Sequence, residues 1–230
     1  MKLYEDVIGD IETLTSQKRL LEVEEAWPEG DKNQFIFGND CAFECGNDHD
    51  SGLSGVLLTD ESNIKDQVYL LGPDIKDIKK DNAYARIALI QVDDSKMGEG
   101  NALFRSIRNI EYMKFRLTLK DVMVRISSLN QKETLRISKV ALKEHLNFSR
   151  IGYSFIESYH KQEAVKGVTI IFITNPTFDY RALAKKLEKA SNITQALDHL
   201  LNKVKMDCNA CKLQVVCKEV EEKTKEVFKK

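Results

Sequence analysis

Apolar residues recur at two periods along this chain, and the change of period predicts its elements. Over the first seventeen residues Leu3, Val7, Ile8, Ile11 and Leu14 fall on one side of a helix, with Glu5, Asp10 and Glu12 off that side, so an amphipathic N-terminal helix is expected. Glu22 to Asn33 is acidic, holds Trp27-Pro28 and Gly30, and reads as a loop before the short apolar piece Phe35-Ile36-Phe37. From Cys41 to Ser54 the composition turns to Gly, Asn, Asp, Ser and His, which predicts a surface loop. Beyond Gly55 strand and helix patterns alternate. Val56-Leu57-Leu58 and Val68-Tyr69-Leu70-Leu71 read as strands, the second closed by the turn Gly72-Pro73-Asp74. Tyr84 to Val92 and Asp121 to Ile126 are strand candidates. Between them Leu103, Phe104, Ile107, Ile110, Tyr112, Met113 and Leu117 keep helical spacing, predicting a strand, helix, strand unit with a right-handed crossover.

Ile137 to His160 reads as two short helices broken near Asn147, and Val168 to Thr174 as a strand covered on both faces. The last third is helical, with one helix from Phe178 to Ala190 and another from Ile193 to Met206, then a Lys/Glu-rich tail from Lys218. Thr177 or Asp179 is expected to cap the first and Ser191 or Asn192 the second. The fold class expected is α/β (mixed α+β), built from strand-helix-strand units with a helical C-terminal extension. Three segments follow: 1–54, helix and loop; 55–206, the α/β domain; 207–230, a cysteine-bearing helix.

The 230 residues are enough for a self-sufficient core, because a chain of this size hides roughly 70–75% of its unfolded surface. Lys and Arg number 35 against 36 for Asp and Glu, a net charge of −1, so no field draws the chain to nucleic acid or anionic lipid. No apolar run reaches the roughly 18–20 residues of a membrane span, and the first residues lack a signal-peptide layout, so a soluble, cytoplasmic protein is expected. In that compartment five cysteines point to metal or redox chemistry more than to disulfides.

Three constellations could carry chemistry. Cys208, Cys211 and Cys217 form a C-x2-C-x5-C array, a soft-donor spacing that suits a 4Fe-4S cluster, or zinc. Against this, Cys211 and Cys217 could be apolar positions on a final helix beside Leu213 and Val216, with Cys208 free. A fourth ligand would have to be Cys41, Cys45, His49 or a group outside the chain. The second constellation, Cys41 to Asp50, mixes soft and hard donors and reads either as a metal site or as a plain loop. The third is the basic stretch Arg105, Arg108, Lys114, Arg116, Lys120 and Arg125, either a site for a phosphate-bearing cofactor or a solvated helix face. His145, His160 and His199 read as solvated or capping residues. No Walker loop, dinucleotide fingerprint, nucleophile elbow or zinc-protease motif is present.

Several segments, in order, resemble one family. Val68-Tyr-Leu-Leu-Gly-Pro-Asp-Ile75 is similar to a V-x-I-V-G-P-D-L segment of the beta subunit of the carbon monoxide dehydrogenase/acetyl-CoA synthase complex. Ala42 to Thr59, Tyr84-Ala-Arg-Ile-Ala88, Asp121-Val-Met-Val-Arg-Ile-Ser127 and Val168 to Thr174 resemble further segments of it, and Cys208-x2-Cys211 resembles the opening of its cluster cysteines. The resemblance implies α/β segments that lead into the active-site domain of an enzyme joining a methyl group from a corrinoid protein, carbon monoxide and coenzyme A. Three departures limit it. The chain has no Cys-Gly-Cys for the distal nickel, its third cysteine follows after only five residues, and Met123 stands where the family has a tryptophan near coenzyme A, although Arg125 is kept. The complete nickel centre is therefore not expected from this chain alone, which leaves catalysis open. The resemblance implies an accessory iron-sulfur or docking protein of one-carbon metabolism, partnered by a corrinoid protein or a subunit of that complex. The alternatives are one part of a split synthase, or a metal-free coenzyme A module using Arg105, Arg108 and Arg125.

Overall fold

The computed structural model describes residues 2–127, 132–202 and 211–227. In chain order the elements are α1 (Glu5–Leu14), β1 (Arg19–Leu20), β2 (Cys41–Cys45), β3 (Leu53–Thr59), β4 (Gln67–Leu71), β5 (Ala85–Val92), α2 (Asp94–Met97) and α3 (Asn101–Tyr112). A 3-10 turn, Met113–Phe115, follows α3. Then come β6 (Val122–Ile126), β7 (Glu133–Ser138), α4 (Lys139–Lys143), α5 (Phe148–His160), β8 (Val165–Ile173), α6 (Tyr180–Leu201) and α7 (Gln214–Val227). The α/β class expected from the sequence is the class observed.

Two sheets form. The larger runs β1-β4-β8-β5-β3, with β4/β8 and β5/β3 parallel and β1/β4 and β8/β5 antiparallel; the smaller, β2-β7-β6, is antiparallel. Helices cover both faces of the larger sheet, which is why β3, β5 and β8 are almost wholly apolar. On one face α5 seats on β4 at Gly152, where an added Cβ would lie 2.5 Å from Val68 Cγ2. On the other face α6 closes on Gly55 of β3, which leaves no room for a side chain against Leu187. α1 and α7 then pack on α6, and a single apolar core joins these layers to the smaller sheet.

Several boundaries differ from the sequence expectation, each for a physical reason. β5 and β6 belong to different sheets, so the unit around α3 closes no crossover within one sheet. Cys41–Cys45 is a strand rather than loop, because it pairs antiparallel with β7. β7 itself was not expected. The helix break near Asn147 is real: its side chain accepts from Arg150 N and caps α5. α6, by contrast, is one helix, capped by Asp179 accepting from Ala182 N, and it runs on through Ser191 and Asn192, which cap nothing. The boundary expected at residue 54 falls inside β3, and α1 and β2 of the first segment pack into the rest.

Candidate functional site

The interior strand β5, between β8 and the edge strand β3, carries one charged side chain, Arg86, and it is fully buried. A guanidinium out of water needs a counter-charge and filled hydrogen bonds. Glu133 of β7 supplies both: Arg86 Nε donates to its Oε1 at 2.7 Å, Nη2 donates to Oε2, and Tyr84 Oη donates to Oε1 at 2.9 Å. Phe155 of α5 lies over the guanidinium, 4.0 Å from ring centroid to Cζ. Burial, reinforced by the Glu133 carboxylate, pushes the Tyr84 phenol well up. Burial pushes the Tyr159 phenol of α5 up as well, and the neighbouring Arg86 guanidinium opposes that shift.

Ser54 is the register partner of Arg86 on β3, so the two share one face of the sheet. From Ser54 outward a cleft of about 720 Å³ opens along the β3 edge, between the α3 end with its 3-10 turn and the middle of α6. Its polar lining includes Ser54, Arg108, Glu111 and Lys114, and Tyr112 and Phe115 supply rings. Ser54 Oγ is buried and unpartnered. Arg108 Nη1 pairs with Glu111, Arg108 Nη2 donates to Tyr112 Oη at 2.8 Å, and the guanidinium sits 4.7 Å from the Tyr112 ring centroid. Burial pushes the Glu111 carboxyl up in spite of Arg108. Burial and then the Arg86 charge push the Lys114 ammonium down, with Glu133 and Glu111 opposing them.

The residues expected to bind a cofactor are spread. Arg108 lines the cleft, whereas Arg105 on α3 and Arg125 on β6 are exposed and lie outside its lining. Cys208 falls outside the described residues. Cys211 precedes α7 and Cys217 sits in its first turns, both half-buried beside Leu213 and Val216, which anchor the helix in the core. Cys41 is half-buried on β2, and Cys45 is wholly buried, its thiol pushed up to about 12 by burial first and then by Asp81 and Cys41. Among the described residues no group of three or more His, Cys, Asp and Glu side chains could hold a metal ion. The described donors thus amount to two half-buried thiols beside α7, a fit in chemistry to an iron-sulfur cluster but short of its full ligand set. Ser54, Glu111 and the Arg86–Glu133 pair were not singled out from sequence. The signal for the pair was one charged residue, Arg86, inside a strand that is apolar apart from it and Gln91, which requires a buried partner.

The family model of the CO dehydrogenase/acetyl-CoA synthase complex beta subunit matches residues 29–178, well over half of the chain. The chain belongs to this family. No curated protein matches it. The beta-subunit match takes in both sheets apart from β1, the Arg86–Glu133 pair, and the α3 and β3 walls of the cleft. All of α6, and α7 with Cys211 and Cys217, lie beyond the matched segment. Among the described residues no helix is long and apolar enough to cross a membrane.

Proposed function

We propose that this beta-subunit-like protein is an accessory component of one-carbon metabolism that carries an iron-sulfur cluster on Cys208, Cys211 and Cys217 and docks on a corrinoid protein or a subunit of a CO dehydrogenase/acetyl-CoA synthase complex. The observation supporting it most is the seat of α7: Leu213, Val216 and Val220 are buried, while Cys211 and Cys217 stand at the margin between core and solvent. Thiols so placed are held by the scaffold yet open to a partner. The cluster would supply one-electron chemistry; the protein's own part is to fix three thiolates and leave a fourth position for another ligand. Lys212 follows Cys211 and Lys218 follows Cys217, and their charges offset the negative charge of a thiolate-bound cluster.

Anaerobically purified full-length protein is expected to contain iron and acid-labile sulfide in near-equal amounts, with a visible absorption band that Cys211→Ser removes. Colourless, iron-free protein from iron-replete anaerobic cells would overturn the cluster. Docking is tested separately, by co-elution with purified subunits of the complex and with the corrinoid protein; no shift in elution with any of them would remove that half.

A further inference from the structure

The cleft along β3 is built for a ligand that the cysteine array does not explain. The charged groups acting on Lys114 are Arg86, Arg108, Glu133 and Glu111, and they cancel in pairs: Arg86 is bonded to Glu133 and Arg108 to Glu111. One positive charge is left over, on Lys114 itself. Among the described residues Lys114 has neither an ion-pair nor a hydrogen-bond partner, and its ammonium lies 5.3 Å from the Phe115 ring centroid. The carboxylates on the α6 wall do not fill that role: Glu188 is exposed, and Asp198 accepts from Asn202 Nδ2. Ser54 Oγ, at the floor, is a buried hydroxyl with nothing to bond. An orphaned hydroxyl and an uncompensated, partly desolvated ammonium in one cleft both cost stability unless a ligand meets them.

Next to them stand the rings of Tyr112 and Phe115, centroids 5.6 Å apart, each more than a third exposed. The Arg108 guanidinium lies on Tyr112, so one ring face is already used and the other ring offers an apolar wall. The volume lies within the range of sites for small organic molecules.

We propose that this cleft binds a small organic oxyanion, a carboxylate or a phosphate monoester carried on a planar ring. The anionic group is met by Lys114 Nζ and Ser54 Oγ, with Arg86 at the register position beside Ser54 on β5, and the ring lies against Phe115. The proposal is independent of the cluster.

Benzoate and phenyl phosphate are the probes, titrated into the isotope-labelled full chain and followed through the amide signals of Ser54, Lys114 and Phe115. Benzyl alcohol serves as the neutral ring, and acetate and inorganic phosphate as the ringless anions. At least one aryl oxyanion is expected to saturate shifts at those amides and to bind about tenfold or more tightly than benzyl alcohol. Which of the two binds tighter separates the carboxylate source from the phosphate source. Lys114→Gln should weaken binding about tenfold or more, the scale of one charged hydrogen bond. Phe115→Ala should weaken the aryl anions and leave the ringless ones unchanged. Should Lys114→Gln fail to fold, Ser54→Ala is expected to weaken the anions while leaving benzyl alcohol alone. The proposal is overturned if neither aryl oxyanion saturates these shifts, if benzyl alcohol binds as well as they do, or if folded Lys114→Gln binds undiminished.

Discussion

Cys45 and Cys211 share a side-chain type and have opposite surroundings. Cys45 is sealed in the core of β2, and burial lifts its thiol to about 12, whereas Cys211 is half-buried at the start of a helix. In the unfolded chain a cysteine titrates near about 8.5. Because the folded value is the higher one, the neutral thiol's contribution to stability is fully present below about pH 8.5. It is then lost as the pH climbs toward 12, at about 1.4 kcal/mol per pH unit. Cys45→Ala cannot titrate, so the stability gap between wild type and this variant, read from urea melts, should shrink between about pH 8 and about pH 10.5. A gap that stays constant would show that the thiol is not shielded. In the same native protein iodoacetamide should leave Cys45 unmodified, a result that peptide mass mapping reads directly.

Elements meet where a small residue lets them. Gly152 brings α5 onto β4, and the atoms that an added Cβ would meet belong to Val68, a β-branched side chain with little rotamer freedom. Gly152→Ala should therefore cost about 1–3 kcal/mol in a urea melt, the usual scale of overpacking. Val68→Ala in the same chain should recover part of that loss; strict additivity of the two changes would argue that they do not touch. The same scale shows what was readable in the sequence. α1, β3, β4, β5, β8 and α5 follow from apolar period and cap residues, because each buries a face through its own local pattern. β2 and β7 escaped, because each is short and mixes charged with apolar residues, and Glu44 and Arg136 meet only across the strand pair, 92 residues apart in sequence. α6 was divided in two because Ser191 and Asn192 resemble a cap, yet Ala190, Ile193 and Leu197 continue its buried stripe. The cleft was not legible for a related reason: Arg108 and Lys114 stood in the basic stretch, but Ser54 joins them only through the packing of β3 against the turn after α3.

At the scale of the whole molecule the two sheets must be held as one body, and the Arg86–Glu133 pair is placed to do it, since β5 lies in the larger sheet and β7 in the smaller. Around it the backbone also crosses: Glu133 N donates to Gly52 O at 2.8 Å, and Leu53 bridges Lys132. A buried ion pair gives little net stability by itself, because desolvation offsets the attraction, but removing one partner leaves the other charge stranded. Glu133→Gln keeps the shape and one acceptor while leaving Arg86 uncompensated, so it should cost about 3–5 kcal/mol. Arg86→Met with Glu133→Leu removes both charges and should be far milder than either single change, although Tyr84 Oη then loses its acceptor. Urea melts followed by fluorescence of Trp27, which is packed in the shared core, and by circular dichroism decide the matter. Wild type should unfold in one coincident step, and Glu133→Gln should shift that step by the stated amount. A loss under about 1 kcal/mol would mean that the backbone contacts at Gly52 and Leu53 hold the sheets without the pair.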